Sequence, residues 1–399
     1  MPRQTHENSG KKRKKLIQSR KKGCVKKMED LYIFLSGIED ERQEWKVEHK
    51  LADIVFIVLM AILANADDWQ EIGIFAKENE EILRKYIPLE NGIPSHDTIQ
   101  RVMSCIKPEV MQHVNILWNE LISSNEGEKI KKILCIDGKT MRGSGNKNSE
   151  ALHVVSAWSK ENGVCFGQKS EDSKGKEIPM IKDLLDVVSV KNQVVTIDAI
   201  GTQTEIAEKI VKGKGDYVLA VKGNQGTLHE DIVIYFSDDE FISKMKSDGL
   251  YHKTTEKARS QIEIREYFQT GDIDWLPGKE KWKSIKSIGM TRTTCKSDKG
   301  ESCEIRYYIS SLTPDLELFS RSVRGHWAIE SMHWHLDVTF REDNNQTIEK
   351  TAAENFNILR KLALSILKMF ELDKKYSLKK KRFALSCGFH KFIDKLMVL

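Results

Sequence analysis

The spacing of hydrophobic residues divides this 399-residue chain into a helical front and a longer part in which strands appear. From about Tyr32 to Ser123 the apolar residues recur at helical intervals, and Leu51 to Ala64 is apolar on nearly every side, as in a helix buried among other helices. Pro94 to Thr98 has the pattern of a helix start, with Ser95 as the N-cap. The spacing therefore predicts an all-helical N-terminal domain over residues 30–125.

After Lys132 the period changes to that of strands. Ile133 to Asp137 is a short apolar strand that ends on an acid, and a turn at Glu161 to Gly163 joins the next two strands. The later predicted elements are strands Leu152–Ser159 and Gly163–Gln168, a helix near Ile181–Val187, strand Gln193–Asp198, a helix near Thr204–Val211 and strand Asp216–Val221. Three consecutive strands followed by alternating helices and strands predict an α/β fold with a mixed sheet. An RNase H-like fold has this order, and other α/β folds share parts of it.

Residues from about 250 to 312 alternate again between apolar and polar side chains, as Ile262 to Tyr267 does. This alternation predicts a β-rich insertion at about 236–317. Past Phe319 the helical period returns, through Arg324–Arg341 and then Ala352–Phe370. We therefore expect one α/β domain over residues 128–372 that the insertion interrupts.

The composition, with 40% apolar residues, is that of a globular protein. The longest apolar run, Ile54 to Ala64, is well short of the roughly 20 residues that a membrane span needs. The seven cysteines form an odd number without a C-x-x-C pair, which argues against a disulfide framework and a zinc ribbon. The composition predicts a soluble, cytoplasmic protein.

Lysine and arginine are concentrated at both ends of the chain. Residues 1–27 carry eleven of them against the single acid Glu7, and residues 374–399 carry eight against Asp394, although the net charge of the whole chain is only +5. Such segments are typical of contact with a polyanion, because each neutralised phosphate releases condensed counterions. A solvated tail without a dedicated partner fits the charge equally well. We predict an unstructured basic arm at 1–29 and a basic C-terminal segment at 373–399.

Three acids lie where an α/β fold brings functional groups together. Asp137 and Asp198 end apolar strands, and Glu330 lies on a predicted helix in the run His326 to Glu330. An Asp at a strand end is also a common turn former. Carboxylate oxygens suit Mg²⁺ or Mn²⁺ better than zinc. Two such ions about 3.5–4 Å apart activate a nucleophile and stabilise the leaving oxygen in phosphodiester transfer.

The same residues carry a resemblance to a known family. Arg324 to Glu330, continued by His333 to Asn344, resembles the third-carboxylate region of bacterial insertion-sequence transposases of the DDE class, in the branch that includes the H-repeat-associated proteins. Ile136 to Lys139 and Thr196 to Ala199 are similar to the other two carboxylate motifs. The front of the chain is similar as well, at Leu51–Ile54 and Gly92–Thr98. The likeness extends from about residue 31 to residue 370.

The resemblance implies an RNase H-like catalytic domain behind a helical transposase-associated domain. It implies two Mg²⁺ or Mn²⁺ ions held by Asp137, Asp198 and Glu330, with cleavage and strand transfer at the ends of a bacterial insertion sequence. The expected partners are double-stranded DNA of the element ends and of the target, with no membrane and with a homodimer on the DNA as one option. The expected location is the bacterial cytoplasm, at the nucleoid. The residues expected to contact DNA are Lys139, Arg142, Lys222, Asn224, Gln225 and His326.

Each of these expectations has a simpler alternative in which the residue serves only the fold or its solubility. The basic and amide residues fit a role in solubility as well. The helix that Ser95 caps either enters a DNA groove or only packs against other helices. Trp275 and Trp282 either stack on an unpaired base or fill the core. A metal-dependent nuclease that no longer transposes and a DNA-binding scaffold without catalysis are the two rival functions. All three acids are present, which speaks against the scaffold.

The helix that carries Glu330 departs from part of the family. Relatives that pass through a DNA hairpin have Tyr, Arg, Glu and Lys at set spacings, and this chain has Val323, His326 and Asp337 at the other three places. Residues 326, 330, 333 and 337 share one helical face. Asp337 is therefore an alternative or auxiliary third acid.

Overall fold

The computed structural model describes residues 27–123, 131–172, 174–258, 261–298 and 300–399. Most of the predicted basic arm at 1–29 lies outside these ranges. The helices are α1 Lys27–Leu35, α2 Leu51–Leu63, α3 Trp69–Glu78, α4 Glu80–Leu83, α5 His96–Cys105, α6 Pro108–Ser123, α7 Glu177–Val187, α8 Thr204–Lys212, α9 Thr227–Ser237, α10 Asp239–Ser247, α11 Leu316–Trp334, α12 Lys350–Met369 and α13 Leu378–Met397. The strands are β1 Lys132–Met141, β2 Leu152–Ser159, β3 Val164–Glu171, β4 Gln193–Ile197, β5 Asp216–Val221, β6 Tyr251–Ala258, β7 Gln261–Thr270, β8 Ser287–Ser297 and β9 Gly300–Ser310.

The helical front packs around α2, in which every residue is buried. This is the outcome expected of a helix that is apolar all round. The predicted cap of α5 is confirmed, since Ser95 Oγ accepts a hydrogen bond from the backbone N–H of Thr98 at 3.2 Å. The apolar side of α5 packs on α12, so this helix has a packing role in the fold.

Nine strands form one mixed sheet in the order β3-β2-β1-β4-β5-β9-β8-β7-β6. Strands β1, β4 and β5 are parallel, β2 and β3 are antiparallel to their neighbours, and β9 pairs antiparallel with β5. The predicted α/β fold with a mixed sheet is therefore confirmed. Four strands from the predicted insertion extend the same sheet beyond β5.

Strand β1 is longer than the sequence predicted. It was expected to end at Asp137 and instead continues to Met141, because residues 137–141 pair with β2. Its pairing with β4 stops earlier, at Ile136 opposite Ile197. Asp137 is thus still paired with β2 but lies beyond the last pair of β1 with β4. The sheet therefore opens between β1 and β4 at this point.

Helices cover both faces of the sheet around β1. Ile136 packs with Ile181 of α7 and Ile206 of α8 in one core, and Ile133 packs with Ile329 of α11 in the other. The second core also contains α12 and the front helices. None of the described helices combines the length and the apolarity that crossing a bilayer requires.

The basic C-terminal segment folds as helix α13 and packs back on the front of the chain. Arg382 is fully buried, and its Nη2 lies 2.9 Å from Oδ1 of Asp67. Its guanidinium also donates to the backbone carbonyls of Ile62 and Thr339. Lys381 is buried as well and donates to the carbonyl of Leu367. Part of the positive charge that the sequence assigns to this end is therefore held inside the fold.

A carboxylate cleft at the ends of the central strands

A cleft of about 480 Å³ opens where β1 and β4 part. All three acids that the sequence singled out, Asp137, Asp198 and Glu330, line this one cleft. Other lining residues come from the loop after β5, from β9 and from α11: Lys222, Arg306, Tyr308, His326 and Trp327. Acids from three distant segments therefore face a common space.

The fold explains why these acids meet. Asp198 follows β4 directly, and the ends of adjacent parallel strands lie at the same edge of a sheet. Glu330 is brought to that edge by α11, which crosses close to β1 at Gly325. A Cβ on Gly325 would lie 3.0 Å from Cγ2 of Ile133, so glycine at this position allows the close approach of the helix to the strand. Cys135 Sγ donates to the carbonyl of Gly325 at 3.0 Å across the same contact.

Asp137 carries the strongest electrostatic perturbation in the cleft. Burial raises the pKa of its carboxyl to about 7, and the negative charges of Asp198, Glu177 and Glu330 act in the same direction against a backbone hydrogen bond from Gly138. A carboxylate in this setting favours a proton or a cation. Perturbed acids in clefts are candidates for chemistry.

Two histidines border the acids without adding positive charge. His333 Nδ1 lies 3.6 Å from Oδ2 of Asp137, and burial lowers the pKa of His333 to about 3. His326 Nδ1 lies 3.2 Å from Oγ1 of Thr196, and burial lowers the pKa of His326 to about 4. Both rings are therefore neutral at physiological pH. Nε2 of His333 is buried and has no hydrogen-bond partner among the described residues.

Asp337, the alternative third acid, is engaged elsewhere. After Trp334 the helix continues as one π turn, His335 to Thr339, and Oδ1 of Asp337 lies 2.8 Å from Nζ of Lys139. Lys139 also approaches Glu342 at 3.0 Å and Asp343 at 3.4 Å. Glu330 lines the cleft, whereas Asp337 takes part in this ion cluster beside it.

The other residues expected to contact DNA fall into two groups. Arg142 is 84% exposed, and Lys222 is exposed and lines the cleft. The amides of Asn224 and Gln225 donate to the carbonyl of Ala199 at 2.7 and 2.8 Å, so they hold the loop that follows Asp198. Their contact with DNA stays a prediction.

The two tryptophans of the insertion, for which the sequence left base stacking and core packing open, do not line the cleft. Trp282 is buried, and Trp275 stacks on Tyr235 with 4.8 Å between ring centroids. Trp327, in contrast, lines the cleft and is 47% exposed, with Cζ of Arg306 5.4 Å from its ring centroid. In the sequence, only its position three residues before Glu330 indicated that Trp327 lies near the acids.

The residues at the cleft fit a hard divalent cation in their chemistry. Three carboxylates face one space, and the charges around Asp137 are of the kind that a cation neutralises. Within the described ranges, no three His, Cys, Asp or Glu side chains stand close enough together to hold a metal ion. A bound cation would therefore have to draw these side chains inward.

Two known families match this chain, one over the helical front and the other over the part that contains the sheet. Residues 32–119 match the family described as DDE_Tnp_1-associated, and residues 128–366 match the family described as Transposase DDE domain. The chain is 40% identical over 363 residues to "Putative transposase YncI" of Escherichia coli O157:H7, covering 89% of this chain and 91% of that protein.

Further relatives come from Escherichia coli strain K12. The chain is 36% identical over 348 residues to "H repeat-associated putative transposase YhhI", covering 85% of this chain and 90% of that protein. It is also 42% identical over 77 residues to a protein named "Inactive transposase YbfQ", which covers 19% of this chain and 92% of that protein.

Proposed function

This chain belongs to the DDE transposase family, and we propose on that premise that it cleaves DNA and joins DNA strands at the ends of a bacterial insertion sequence. The observation that carries the proposal is the presence of Asp137, Asp198 and Glu330 in one cleft. The substrate is double-stranded DNA, both the element ends and the target. The protein would act in the bacterial cytoplasm at the nucleoid, with a homodimer on the DNA as one arrangement.

The topology supports an RNase H-like catalytic domain. Strands β1 to β3 form an antiparallel meander, β4 and β5 add parallel to β1, and helices cover both faces. In this proposal the catalytic domain spans residues 128–372, the β-rich insertion lies within it, and residues 30–125 form the accompanying helical domain.

In the proposed chemistry, Asp137, Asp198 and Glu330 would hold Mg²⁺ or Mn²⁺, as two ions that would supply Lewis-acid stabilisation of in-line phosphodiester displacement. Because the pKa of Asp137 is raised to about 7, a cation would bind there in competition with a proton near neutral pH. The neutral imidazole of His333, 3.6 Å away, places no competing positive charge there.

Basic residues around the cleft would neutralise the DNA backbone. Lys222 and Arg306 border the acids, and Arg142 extends into solvent from the end of β1. His326 faces the cleft as a neutral hydrogen-bonding group. Lys139, Asn224 and Gln225 already bind protein groups, so we propose that they affect DNA binding indirectly. Lys139 holds the carboxylate of Asp337, and Asn224 and Gln225 hold the loop that follows Asp198.

The test is a strand-transfer assay with a DNA fragment that carries the flanks of the gene encoding this chain, together with a supercoiled target plasmid. A transposase yields 3′-hydroxyl ends on the fragment and then fragments joined to the plasmid. Cleavage without joining would favour the non-transposing nuclease. Binding without cleavage in Mg²⁺ or Mn²⁺ would favour the scaffold and overturn the proposal.

A further inference from the structure

A histidine that the sequence did not single out lies on the wall of the acidic cleft. His229 lines the same space as Asp137, Asp198 and Glu330. It is half-buried in the first turn of α9, and its ring meets the ring of Tyr307 edge to face, with 5.6 Å between the centroids. Neither ring nitrogen forms a hydrogen bond with a residue that the structure describes. The imidazole is therefore held at the cleft by its ring, with its nitrogens available to a ligand.

The fold fixes His229 relative to the second acid. The amide of Gln225 donates to the carbonyl of Ala199, the residue after Asp198, at 2.8 Å. The carbonyl of Gly226, the residue after Gln225, accepts the backbone N–H of His229 at 3.0 Å. Two hydrogen bonds and a short stretch of backbone therefore connect His229 to the loop that carries Asp198.

Other groups on the cleft wall are poorly suited to exchange a proton near neutral pH. Burial lowers the pKa of His326 to about 4, and its Nδ1 already interacts with Thr196. Burial raises the pKa of Tyr308 to about 12. Glu304 accepts a hydrogen bond from Nε of Arg306 at 2.8 Å. The three acids are the proposed ligands of the cations, so none of these groups is an effective proton acceptor.

His229 combines the position and the chemistry that these groups lack. Imidazole is the side chain that ordinarily exchanges a proton between pH 5 and 8. An apolar ring would make the contact with Tyr307 equally well, so packing alone does not require an imidazole. A cleft of about 480 Å³ is in the size range of pockets that enclose one small molecule, so a nucleotide bound at the acids also lies close to the rest of the wall.

We propose that His229 is a further catalytic residue, which accepts the proton that the attacking hydroxyl group gives up. The inference rests on the proposed function, because it assumes that DNA is cleaved and joined in this cleft. In cleavage, a water oxygen forms a bond to phosphorus while the bond from phosphorus to the 3′-oxygen breaks. The proton of that water passes to the neutral ring of His229 and from there to solvent. The 3′-oxygen keeps the bonding electrons and takes a proton from solvent.

Joining uses the same route for the proton. The 3′-hydroxyl attacks a phosphorus of the target, its proton passes to His229, and the oxygen that leaves the target phosphorus takes a proton from solvent. His229 is half-exposed, so it can return each proton to solvent before the next step. One residue thus serves both reactions.

Charges of both signs surround the ring. Acids favour the protonated imidazole, whereas basic groups and bound cations oppose it. The pH at which the ring titrates is therefore read from the rate profile itself. The charged groups on the cleft wall, on α9 and on α10, which packs on α9, are Asp137, Asp198, Lys222, Glu304, Arg306, Glu330, Glu230, Asp231, Asp239, Glu240, Lys244 and Lys246.

The experiment measures single-turnover nicking of DNA with the gene flanks by the full-length protein, from about pH 5 to pH 9, at a low and a high Mg²⁺ concentration. A rise in rate that comes from Asp137 moves to lower pH as Mg²⁺ increases, because the cation competes with its proton. A rise that comes from His229 does not move. His229→Gln should lose this fixed rise and nick about 100-fold more slowly on the plateau. His113→Gln, at an exposed histidine of α6, should match the wild type.

Chemical rescue separates proton transfer from a contact with DNA. Imidazole added to His229→Ala should raise its nicking rate by about tenfold or more, and a series of substituted imidazoles should give rates that increase with the basicity of the added base. His113→Ala should not respond to the added bases. A rescue that is absent, or that does not depend on basicity, would overturn the proton-transfer role.

DNA affinity in EDTA and thermal melts provide readouts other than activity. His229→Gln should bind DNA and melt like the wild type, and a loss of affinity or stability that matches the loss of rate would contradict the proposal. A wild type that does not nick in Mg²⁺ or Mn²⁺ defeats the proposed function itself. If the wild type nicks and His229→Gln nicks as fast with the same pH profile, only the role of His229 is rejected.

Discussion

Nδ1 of His333 lies 3.6 Å from Oδ2 of Asp137, which connects the helix of the third acid to the strand of the first. His333 follows Glu330 by three residues on α11, so both side chains lie on the same helical face. The placement of Glu330 relative to Asp137 is therefore fixed by the packing of α11 on β1. Changes in this contact should alter the cleft without any change in the acids themselves.

The raised pKa of Asp137 predicts how stability depends on pH. Since the folded-state pKa is about 7 and the usual value 3.8, the folded protein binds more protons than the unfolded chain between these values, and its stability falls as pH rises through this window. Asp137→Asn removes this loss. In EDTA the variant should exceed the wild type in free energy of unfolding by a margin that grows from pH 4 to pH 7, to about 2–4 kcal/mol, and then levels off. Urea denaturation at each pH measures it, and a margin that does not change with pH contradicts it.

We expect Lys139 to contribute more to the stability of the fold than to DNA binding. Its side chain is 11% exposed among Asp337, Glu342 and Asp343, and Glu342 is fully buried. Lys139→Met leaves that charge with less compensation and should cost about 3–5 kcal/mol in urea denaturation.

Arg142→Met is the comparison for Lys139→Met, because Arg142 is 84% exposed. Its stability should stay within about 0.5 kcal/mol of the wild type, while the slope of log DNA affinity against log salt should flatten by about 1. If Lys139→Met is as stable as the wild type and flattens the slope instead, Lys139 contacts DNA directly.

Helix α13 should be required for the fold. Arg382 is fully buried and connects α13 to Asp67 and to the carbonyls of Ile62 and Thr339. Arg382→Met should destabilise the protein by about 3–5 kcal/mol. Lys379→Met, an exposed position on the same helix, should change stability little. Equal stability of the two variants would show that the buried arginine does not stabilise the fold.

Trp327 should bind unpaired bases. Its ring lines the cleft three residues before Glu330, and stacking of one base on a tryptophan is worth about 1–3 kcal/mol. Trp327→Ala should therefore weaken binding of DNA with unpaired bases by about tenfold and leave binding of a fully paired duplex nearly unchanged, as measured by fluorescence anisotropy. Trp45→Ala, at a 79% exposed position in the helical front, should affect neither substrate. Equal effects of both variants would contradict this role.

Local patterns were sufficient to predict most elements of the fold. Apolar runs identified the strand that carries Asp137 and the strand that Asp198 follows, and the period on either side of Glu330 identified its helix. The length of β1 was missed, because residues beyond Asp137 are polar and are kept in the strand by pairing with β2. Such pairing has no signature in the strand's own sequence.

Contacts between distant segments account for the rest. Lys139 and Glu342 are 203 positions apart, and nothing near Lys139 in the sequence indicates that its ammonium is buried among acids. The proximity of Glu177 to Gly138 and His153 likewise depends on contacts between segments that are distant in the sequence. The three cleft acids were found from their motifs, whereas the residues that surround them needed the structure.

Paired nicking and binding assays on one DNA substrate test most directly whether Asp137, Asp198 and Glu330 serve as cation ligands for DNA cleavage. The substrate carries the flanks of the gene, and the proteins are the wild type, Asp137→Asn, Asp198→Asn, Glu330→Gln and the control Asp183→Asn, which changes an exposed acid on α7. The wild type and the control should nick only with Mg²⁺ or Mn²⁺, and each cleft variant should lose about 1000-fold in rate, since the ions supply several kcal/mol of transition-state stabilisation. Binding in EDTA should be unchanged or slightly tighter in the variants. A wild type that binds but never nicks, or cleft variants that nick as fast as the wild type, would contradict this role for the three acids.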